Sequence, residues 1–504
     1  MTSIRTMSGA SADLDDARLE ELRTTIRGEV VTPDDPGYDE VRAVHNAIYD
    51  RRPGLVIRCR GTADVVDAVA LARELDLLVA VRGAGHSVAG HSAPDGGLLI
   101  DLSLMTGVTV DRATGVTTVQ GGATWGDVDR ETQLFGRAVP GGIISTTGVG
   151  GLTTGGGLGW LHRAYGLSCD SIRSAQVVTA DGAVVRAAAA DDDGDPELLW
   201  AIRGGGGNFG VVTSFEFDSH PVGPMVFQAA PVYAMAGCAP VFRAWVEWCR
   251  AAPDEVTSRA LLWTFPEVEA LPPEIRGQDA LILAAIHCGP ADEGERVLAP
   301  LRSMGTPLAD LSMALPFRMA QNGFDPFFAK GEMRSYWKSL YLDDLGDEAV
   351  DLIVGMGMDR PHPMTLVHVP LMGGATSRVA TADSAFGERE AAFMLSIDGN
   401  WADAATDEAG VAWVRAMVDD AMRLPGARGT YLNFNSEAVA DDETRAAAFG
   451  ANLARLVAVK DGYDPGNRFR LNANIAPSGG LPGPRPAVEQ VVDLAAERAR
   501  QRTS

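Results

Sequence analysis

The stretch from Gly141 to Trp160 is dominated by glycine and threonine, and it constrains the fold more than any other part of the chain. Its sequence, GGIISTTGVGGLTTGGGLGW, has too few large apolar side chains to pack a core by itself. Flexible linkers can have this composition, but they are rarely flanked by strongly apolar, β-prone segments. The pattern therefore favours a loop whose backbone cradles a ligand inside a folded domain.

A second glycine-rich turn follows an apolar segment and ends on a histidine. Leu77 to Val81 is typical of a buried strand, and it runs directly into the sequence RGAGHS at residues 82–87, which contains His86. Glycines after a strand allow the backbone to approach a ligand closely. An imidazole there can act as a base, a metal ligand or a nucleophile, and the turn alone leaves these roles open.

A third glycine run, RGGGGNFG at residues 203–210, formally contains the GxGxxG pattern. A Rossmann turn requires a strand before this pattern and a helix after it, because the helix N-terminus holds the pyrophosphate. Here a predicted helix, Glu197 to Ile202, precedes the run and a predicted strand, Gly210 to Phe217, follows it. This order argues against a Rossmann-type dehydrogenase, although the backbone amides could still form an anion-binding nest.

Length and composition limit the class of protein. At 504 residues the chain is too long for one ordinary core, so we expect two domains. The formal net charge of −24 argues against a nucleic-acid partner, and no lysine follows a glycine run as a Walker-type phosphate loop requires. Five cysteines without CxxC spacing predict free thiols, no metal site and a reducing, cytoplasmic compartment.

The sequence also lacks the signals of a membrane or secreted protein. No apolar stretch approaches the roughly 20 residues of a membrane span, so we expect no membrane partner. Residues from Met1 to Asp16 have no apolar block of the kind found in secretory signals, and they are expected to form a disordered lead-in.

Periodicity in the first 220 residues predicts a mixture of helices and strands. The predicted elements are a helix from Val41 to Ile48, a strand from Leu55 to Cys59, a helix that begins near Thr62, a strand from Gly97 to Leu102, an antiparallel pair at Val108 to Val110 and Val116 to Val119, and a hairpin from Ser174 to Val185.

The composition changes near His220 to Pro224, which predicts a domain boundary followed by a separate α+β layer. The predicted strands are Val226 to Tyr233, Arg259 to Phe265, Ala280 to His287, Met364 to Val369 and Ala391 to Ile397, and the predicted helices are Ala239 to Arg250, Glu293 to Leu301, Gly410 to Leu424 and a polar tail helix at Ala487 to Arg500.

Four motifs occur in a fixed order along the chain: RGAGHS, the glycine run after Thr146, RGGGGNFG, and YDPGNRFRLNANIAP at residues 463–477. In this order they resemble the vanillyl-alcohol-oxidase superfamily with its PCMH-type FAD-binding domain. More narrowly, they resemble the berberine-bridge-enzyme-like oxidases near the 6-hydroxy-D-nicotine oxidase group. The resemblance covers about residues 45–220 and 429–478, and the middle of the chain only loosely.

The resemblance implies an α+β fold, in which a two-part PCMH-type FAD-binding domain is joined to a substrate domain with an antiparallel sheet backed by helices. The implied divisions are an N-terminal lead-in at 1–40, the FAD-binding domain at 41–222, the substrate-binding domain at 223–455, a berberine-bridge-like segment at 456–480 that returns to the FAD domain, and a tail helix at 481–504. The implied partners are FAD, a small-molecule substrate and O₂, in a monomer or homodimer.

Within the resemblance, His86 matches the histidine that bonds covalently to the 8α-methyl carbon of the flavin. The turn around it would wrap the pyrophosphate through backbone amides, Val212 would lie toward the adenine, and Asn472 would belong to the segment that returns to the flavin. The implied cofactor-binding residues are Arg82, Gly83, Ala84, Gly85, His86, Ser87, Gly142, Thr146, Thr147, Gly148, Gly150, Gly151, Gly156, Gly157, Gly210, Val212, Asn472 and Asn474.

One departure from the family pattern concerns the flavin linkage. Many relatives carry a second covalent link through a cysteine, and Ile144 stands at that position here. The expected attachment is therefore a single bond through His86. Because relatives with two links tend to have open sites for oligosaccharides, the resemblance disfavours oligosaccharide substrates. Thr147 occupies the position that resembles the oxygen gate of the family, and its volume, close to that of valine, favours O₂ access.

The segment from Gly429 to Phe434 resembles the family's YxN[YF] strand, which faces the substrate side of the flavin. Tyr431 is the first candidate for a catalytic base or hydrogen-bond donor, and a purely structural, half-buried role is an equal alternative. Asn433, Glu388 and His368 are weaker catalytic candidates. Because a phenylalanine stands where some relatives have a second tyrosine, a tyrosine-pair mechanism is in doubt.

The implied activity is that of an FAD-dependent oxidase that transfers a hydride from a small or medium organic substrate to flavin N5, with O₂ as the electron acceptor. A flavin-dependent monooxygenase or dehydrogenase of natural-product tailoring is the enzymatic alternative. A flavin-binding protein without turnover is a third hypothesis. The middle domain matches no motif, so the sequence leaves the substrate open.

Overall fold

The computed structural model describes residues 1–190, 194–437 and 442–479. The strands before residue 222 are β1 (Thr2–Arg5), β2 (Ser11–Leu14), β3 (Glu29–Val31), β4 (Leu55–Arg58), β5 (Val79–Arg82), β6 (Leu98–Asp101), β7 (Val108–Val110), β8 (Val116–Gln120), β9 (Arg137–Ala138), β10 (Ile172–Val178), β11 (Val184–Ala188), β12 (Val211–Asp218) and β13 (His220–Pro221). The helices of this part are α1 (Asp16–Thr25), α2 (Tyr38–Arg42), α3 (Thr62–Glu74), α4 (Trp125–Thr132), α5 (Val149–Thr154), α6 (His162–Tyr165) and α7 (Pro196–Ile202).

Two sheets organise this N-terminal part. The first has the order β3-β4-β6-β5, in which β4 and β5 both run parallel to β6, and α3 forms the connection from β4 to β5. The second is antiparallel, with the order β11-β10-β12-β8-β7. Strands β4 and β6 are buried because their side chains are apolar on both faces, as parallel strands covered by helices require. The turn that carries His86 therefore leaves the end of an anchored strand.

The strands after residue 222 are β14 (Met225–Ala229), β15 (Pro231–Ala234), β16 (Val256–Thr264), β17 (Asp279–His287), β18 (Ala309–Asp310), β19 (Met313–Pro316), β20 (Arg334–Leu342), β21 (Leu366–Pro370) and β22 (Phe393–Trp401). The helices are α8 (Ala239–Cys249), α9 (Ala291–Leu298), α10 (Phe317–Gln321), α11 (Asp347–Met358), α12 (Ala375–Arg378), α13 (Asp407–Ala421), α14 (Asp442–Phe449) and α15 (Leu453–Tyr463).

A nine-stranded antiparallel sheet dominates this second part, with a main path β18-β15-β17-β16-β21-β22-β20. Helices α8, α11 and α13 cover its outer face, where Trp245, Ile353 and Val414 pack into one apolar core with side chains of the sheet. Side chains alternate along a strand. The strand residues that lie between those of the outer core therefore point to the opposite, inner face of the sheet. That inner face meets the N-terminal part and lines the candidate site.

Several predictions of elements are confirmed. Strands β7 and β8 pair antiparallel, β10 and β11 form the predicted hairpin, and the run at residues 203–210 lies between α7 and β12 rather than in a Rossmann turn. The α+β class with an antiparallel sheet backed by helices is also confirmed. The segment predicted as one strand from Val226 to Tyr233 is instead two strands, β14 and β15.

The prediction of a disordered N-terminal lead-in is wrong. Strands β1 and β2 pair with each other, and β3 is the edge strand beside β4. Ile4 and Leu14 are buried in the same core as Leu55 and Ile57. The two strands are too short to give a readable pattern, but each supplies one apolar side chain to that core.

The helix predicted from Val41 to Ile48 is also wrong in its bounds, because α2 ends at Arg42. The following residues are held by Asn46, whose side-chain amide donates to the carbonyl of Ser335 at 2.8 Å and accepts from the Ser335 amide at 2.9 Å. This bond ties the segment to β20, a strand that the sequence did not predict. The predicted tail helix at 487–500 lies outside the described residues.

Among the described residues, none of the helices is both long and apolar enough to cross a membrane.

Candidate functional site

A large cavity lies between the glycine-rich loops of the N-terminal part and the inner face of the nine-stranded sheet. One side is formed by the turn around His86 and by the loop that leads into α5. The other side is formed by β16, β20, β21 and β22, with the segment after Tyr431 closing one edge. The motifs separated by nearly 400 residues in the sequence therefore meet around one space.

His86 projects into this cavity from the turn after β5. Its Nε2 lies 3.0 Å from Thr146 Oγ1 and its Nδ1 lies 3.4 Å from Thr147 Oγ1, while the His45 ring packs against it with centroids 3.9 Å apart. Burial lowers the pKa of His86 well below its ordinary value, and the neighbouring His45 and Lys330 add to the effect. The imidazole is therefore neutral at pH 7, with a nitrogen lone pair available for a bond.

The turn around His86 has the features of an anion-binding nest. Across the described residues, none of the backbone N–H groups of residues 83–87 donates a hydrogen bond. Gly85 has a φ of +81°, which an L-residue adopts only at a cost. A Cβ on Gly148 would lie 2.7 Å from the Ala84 nitrogen, so the two glycine loops can approach only without a side chain there. These free donors suit a pyrophosphate in a protein with few nearby cations.

The C-terminal motif packs against the third glycine run. The Asn208 side-chain amide donates to the Ala473 carbonyl at 3.1 Å, and the buried Lys460 ammonium donates to the Asn208 carbonyl at 2.8 Å. Asn472 donates to Gly207 at 3.1 Å, while its Oδ1 atom is buried with no partner in the described part of the chain. Because Asn472 lines the cavity, that oxygen is an acceptor available to a bound cofactor.

Most of the predicted cofactor-binding residues line the cavity. Those that do are Gly83, Ala84, Gly85, His86, Ser87, Gly142, Thr147, Gly148, Gly150, Gly151, Gly210, Val212 and Asn472, and Thr146 contacts His86 directly. Free amides, glycine loops in close approach and an orphaned acceptor together fit FAD. His86 and the two glycine loops would hold it, and Asn472 would contribute an acceptor from the C-terminal motif.

Besides Thr146, four of the predicted cofactor-binding residues are not in the lining. The Arg82 guanidinium is buried against Asp101, with Nη2 2.7 Å from Oδ2, and so it supports the sheet. The Gly157 amide donates to the Tyr431 hydroxyl, and Gly156 packs against the Phe386 ring. Asn474 lies beyond the lining as well, with its Oδ1 buried and unpaired among the described residues.

Tyr431, the first catalytic candidate of the sequence analysis, lies outside the cavity lining. Its side chain is buried outside the cavity lining, where the hydroxyl oxygen accepts from the amides of Gly157 at 3.0 Å and Leu158 at 3.1 Å. Burial raises the pKa of Tyr431 to about 12. The segment is not a strand either, because residues Leu432–Phe434 form a 3₁₀ turn fixed to β20 through the Ser339 hydroxyl. Tyr431 thus positions the glycine loop.

Glu388 is likewise outside the cavity, since its carboxylate accepts from the backbone amides of Glu390 and Ala391 and pairs with Arg428 at 2.8 Å. Asn433 does line the cavity. Its side-chain amide donates to the Leu152 carbonyl at 3.0 Å and to the Tyr431 hydroxyl at 2.9 Å, so it joins the end of α5 to the closing segment.

Charged and aromatic residues of the sheet complete the site, and sequence reasoning missed most of them. His368, a weaker prediction, lines the cavity together with Asp398, and its Nε2 lies 3.2 Å from Asp398 Oδ2. Arg259 and Trp337 face the same space. The available signal was a single charged residue inside an otherwise apolar strand, as in SRALLW around Arg259 and LSIDGNW around Asp398.

Comparisons with known proteins agree with this geometry. The FAD binding domain family matches residues 53–188, and the berberine and berberine-like family matches residues 430–476. The (R)-6-hydroxynicotine oxidase of Paenarthrobacter nicotinovorans is 31% identical over 474 residues, which cover 90% of this chain and 98% of that protein.

Solved structures show the same fold. The crystal structure of 6-hydroxy-D-nicotine oxidase from Arthrobacter nicotinovorans has a TM-score of 0.79 at 27% identity, over 89% of this chain and 98% of that one. Glucooligosaccharide oxidase from Acremonium strictum, described with a 6-S-cysteinyl, 8α-N1-histidyl FAD, has a TM-score of 0.79 at 22% identity, over 92% and 100% of the two chains. The chain therefore belongs to the family of FAD-linked oxidoreductases that combine an FAD-binding domain with a berberine-like C-terminal segment.

Proposed function

We propose that the protein is an oxidase in which His86 is the only residue that holds FAD covalently, and that it oxidises a small or medium organic molecule. When bound, FAD would supply the hydride acceptor at N5 and pass the electrons to O₂, which yields H₂O₂. The observation that carries the proposal is the neutral His86 imidazole, which faces the cavity beside a row of free backbone amides.

The surroundings of His86 support its role as the attachment point. A protonated imidazole has no lone pair to form a bond, and burial keeps this ring neutral. The hydroxyls of Thr146 and Thr147 lie within 3.4 Å of the two ring nitrogens and limit the rotation of the ring. Thr147 also lines the cavity at the position proposed for the oxygen gate.

A single link rather than two is supported by the residues across the cavity. Ile144 lines it at the position where relatives with a second link carry cysteine. The five cysteines are all buried and free, and none of them contributes to the described lining. Buried free thiols also support the proposed reducing, cytoplasmic compartment, and we propose a monomer or homodimer.

We propose the His368–Asp398 pair as the acceptor of the substrate proton. Nδ1 of His368, which has no hydrogen-bond partner among the described residues, would take the proton, and the Asp398 carboxylate, 3.2 Å from Nε2 on the other side of the ring, would stabilise the imidazolium that forms. The Asp398 carboxylate is itself held by the Ser396 hydroxyl. Both side chains are buried, so water is largely excluded from the proton that they share.

Denaturing electrophoresis tests the attachment. Flavin fluorescence should remain with the wild-type band and should disappear from the band of His86→Ala, while His91→Ala, a change in another histidine of the lining, should keep it. Proteolysis should yield one flavin-bearing peptide, the one that contains His86. Release of all flavin from the wild-type protein by acid would contradict the covalent link.

The electron acceptor is tested by the stoichiometry of peroxide. An oxidase releases one H₂O₂ for each substrate oxidised, whereas a monooxygenase incorporates oxygen into the product and a dehydrogenase reoxidises slowly in air. A screen of alcohols, amines and phenolics for peroxide release would measure this ratio. Incorporation of ¹⁸O from labelled O₂ into the product would overturn the oxidase assignment in favour of the monooxygenase.

A further inference from the structure

Arg259 is a buried cation in the cavity wall without a counter-ion of its own. The side chain is 1% exposed, and no carboxylate of the described residues lies within the 4.0 Å of an ion pair. Its Nε atom is buried with no hydrogen-bond partner in the described part of the chain. The guanidinium is instead stacked over the Trp160 ring, 4.6 Å from its centroid. Stacking fixes the plane of the group but leaves its N–H donors unsatisfied.

The nearest candidate for a counter-ion is already engaged. Asp398 stands on the same face of the sheet, but its carboxylate lies beside His368 and is bonded to Ser396. Burial lowers the pKa of Arg259 to about 10, with Asp398 opposing this effect, so the guanidinium is still charged at neutral pH. An unpaired buried charge is unfavourable unless a partner arrives with the ligand.

The walls around this cation are aromatic. Trp337 makes edge contacts with Phe434 and Phe328, with ring centroids 5.7 Å and 6.3 Å apart, and Phe434 also contacts the His368 ring. On the side of Arg259, Phe324 stacks with Trp160 at 6.3 Å. Flat apolar walls of this kind accommodate a planar, apolar body, while the guanidinium provides one point of charge recognition.

We propose that the substrate is an aromatic molecule that carries an oxyanion, such as a carboxylate, and that Arg259 is the residue that binds this group. The inference rests on the proposed function, because it names the substrate class of the same site. The planar guanidinium presents donors that match two oxygen atoms at once, which a lysine would not do. Binding of the anion also neutralises the buried charge next to His368 and Asp398.

Benzoate and benzamide are matched probes for this proposal, because they share shape but differ in charge. Binding to the flavin-loaded protein is measured from the change in flavin absorbance. The wild-type protein should bind benzoate at least about tenfold more tightly than benzamide, the size of effect expected for a charge-assisted hydrogen bond. Arg259→Met should lose this preference, and Arg259→Lys should keep only part of it.

Arg243→Met is the control, since this arginine pairs with Asp347 and Asp351 on the outer helices. It should keep the preference for benzoate. Equal binding of the two probes by the wild-type protein, or an unchanged preference in Arg259→Met, would overturn the proposal. A changed flavin potential in Arg259→Met together with an unchanged preference would also overturn it, because Arg259 would then serve the flavin.

The proposed oxidase function and the proposed substrate class are tested by different measurements. Flavin content and fluorescence after denaturation depend on His86, and they are measured before any probe is added. A protein with covalent flavin but without a preference for benzoate retains the proposed oxidase function and loses only the substrate class.

Discussion

At the scale of single residues, the candidate site divides its tasks between distant parts of the chain. His86, from the N-terminal part, is neutral and faces the free amides of its own turn. His368 and Asp398, from adjacent strands of the large sheet, form a buried pair in the opposite wall of the cavity. The proposed attachment of the cofactor and the proposed transfer of the proton involve separate residues, so we expect mutation to change one without the other.

Replacement of His368 by Gln should lower kcat by about 10²- to 10⁴-fold, the range for loss of a general base. KM should change little, and the flavin should stay covalently bound, because His86 is untouched. His220→Gln is the matched control, since this ring stacks on Tyr165 outside the cavity. Steady-state kinetics with peroxide detection measures both, and a wild-type kcat in His368→Gln would rule out the assignment.

Replacement of Tyr431 by Phe should affect stability more than turnover. The change removes the acceptor of two buried amides, those of Gly157 and Leu158, and should cost about 1–3 kcal/mol in the free energy of unfolding. Because the hydroxyl is outside the cavity lining, kcat should fall by less than about tenfold.

Denaturant titration and steady-state kinetics compare Tyr431→Phe with Tyr165→Phe, whose hydroxyl donates an exposed hydrogen bond to the Pro221 carbonyl at 3.2 Å. The second variant should lose less stability. A Tyr431→Phe protein of wild-type stability without turnover would restore the tyrosine as a catalytic candidate.

At the scale of secondary structure elements, α4 carries an unusual buried acid. Asp129 is fully buried, and neither of its carboxyl oxygens has a hydrogen-bond partner among the described residues. Burial raises the pKa of Asp129 to about 8, although Arg318 opposes the effect. The native state therefore keeps a proton that the unfolded chain releases near pH 4, so this residue reduces stability as the pH rises from about 4 to 8.

Asp129→Asn should remove this dependence, because the amide does not ionise. Relative to the wild-type protein, the variant should become more stable as the pH rises from 5 to 8.5, as measured by denaturant unfolding at both values. Asp127→Ala in the same helix should instead lose about 0.5–2 kcal/mol at both pH values, because it removes the acceptor of the capping box with Thr124. An Asp129→Asn effect that is the same at both pH values would contradict the argument.

Elements with a strong repeated pattern were predictable, and those defined by tertiary contacts were not. Strands β4 and β6 carry runs of apolar side chains, and β12 alternates between buried and less buried residues, so a local pattern predicts all three. Strand β20, with the sequence RSYWKSLYL, mixes polar and aromatic residues because one face lines a cavity. Its pattern reflects the site rather than the core.

In the candidate site, too, residues in a local sequence pattern were predictable, and residues defined by tertiary contacts were not. Glycine-rich turns can be read from sequence because only glycine permits their backbone, and most of the predicted cofactor-binding residues line the cavity. Tyr431 could not be placed, because the direction of its hydroxyl depends on where the loop at Gly157 lies in space. Arg259 and Asp398 stand out in the sequence only as single charged residues inside apolar strands, and this pattern does not show that both face one cavity.

At the scale of the whole molecule, histidine burial governs the response to acid. Burial lowers the pKa of six histidines, to about 4 for two of them: His45, His86, His91, His162, His220 and His362. Below pH 6.5 these histidines bind protons in the unfolded chain but stay neutral in the native state. Stability should therefore fall as the pH drops from about 6.5 toward 4.

Calorimetric Tm values between pH 7.5 and 4 measure this trend. His91→Gln should make the slope shallower, because the pKa of this residue is lowered to about 4. His362→Gln, at a more exposed position, should leave the slope nearly unchanged. A Tm that rises through this range would show that relief of the net charge of −24 outweighs the histidines.

The return of the C-terminal motif to the third glycine run has a consequence for the order of events during synthesis. Phe469, Asn472 and Ala473 form part of the cavity wall, and Asn208 and Lys460 hold this segment in place. A nascent chain that still has residues 463–477 inside the ribosome has made His86 but has no complete wall around it. We expect a ribosome stalled within this motif to carry a flavin-free chain, so that cofactor capture follows translation of the motif and reports that folding has been completed.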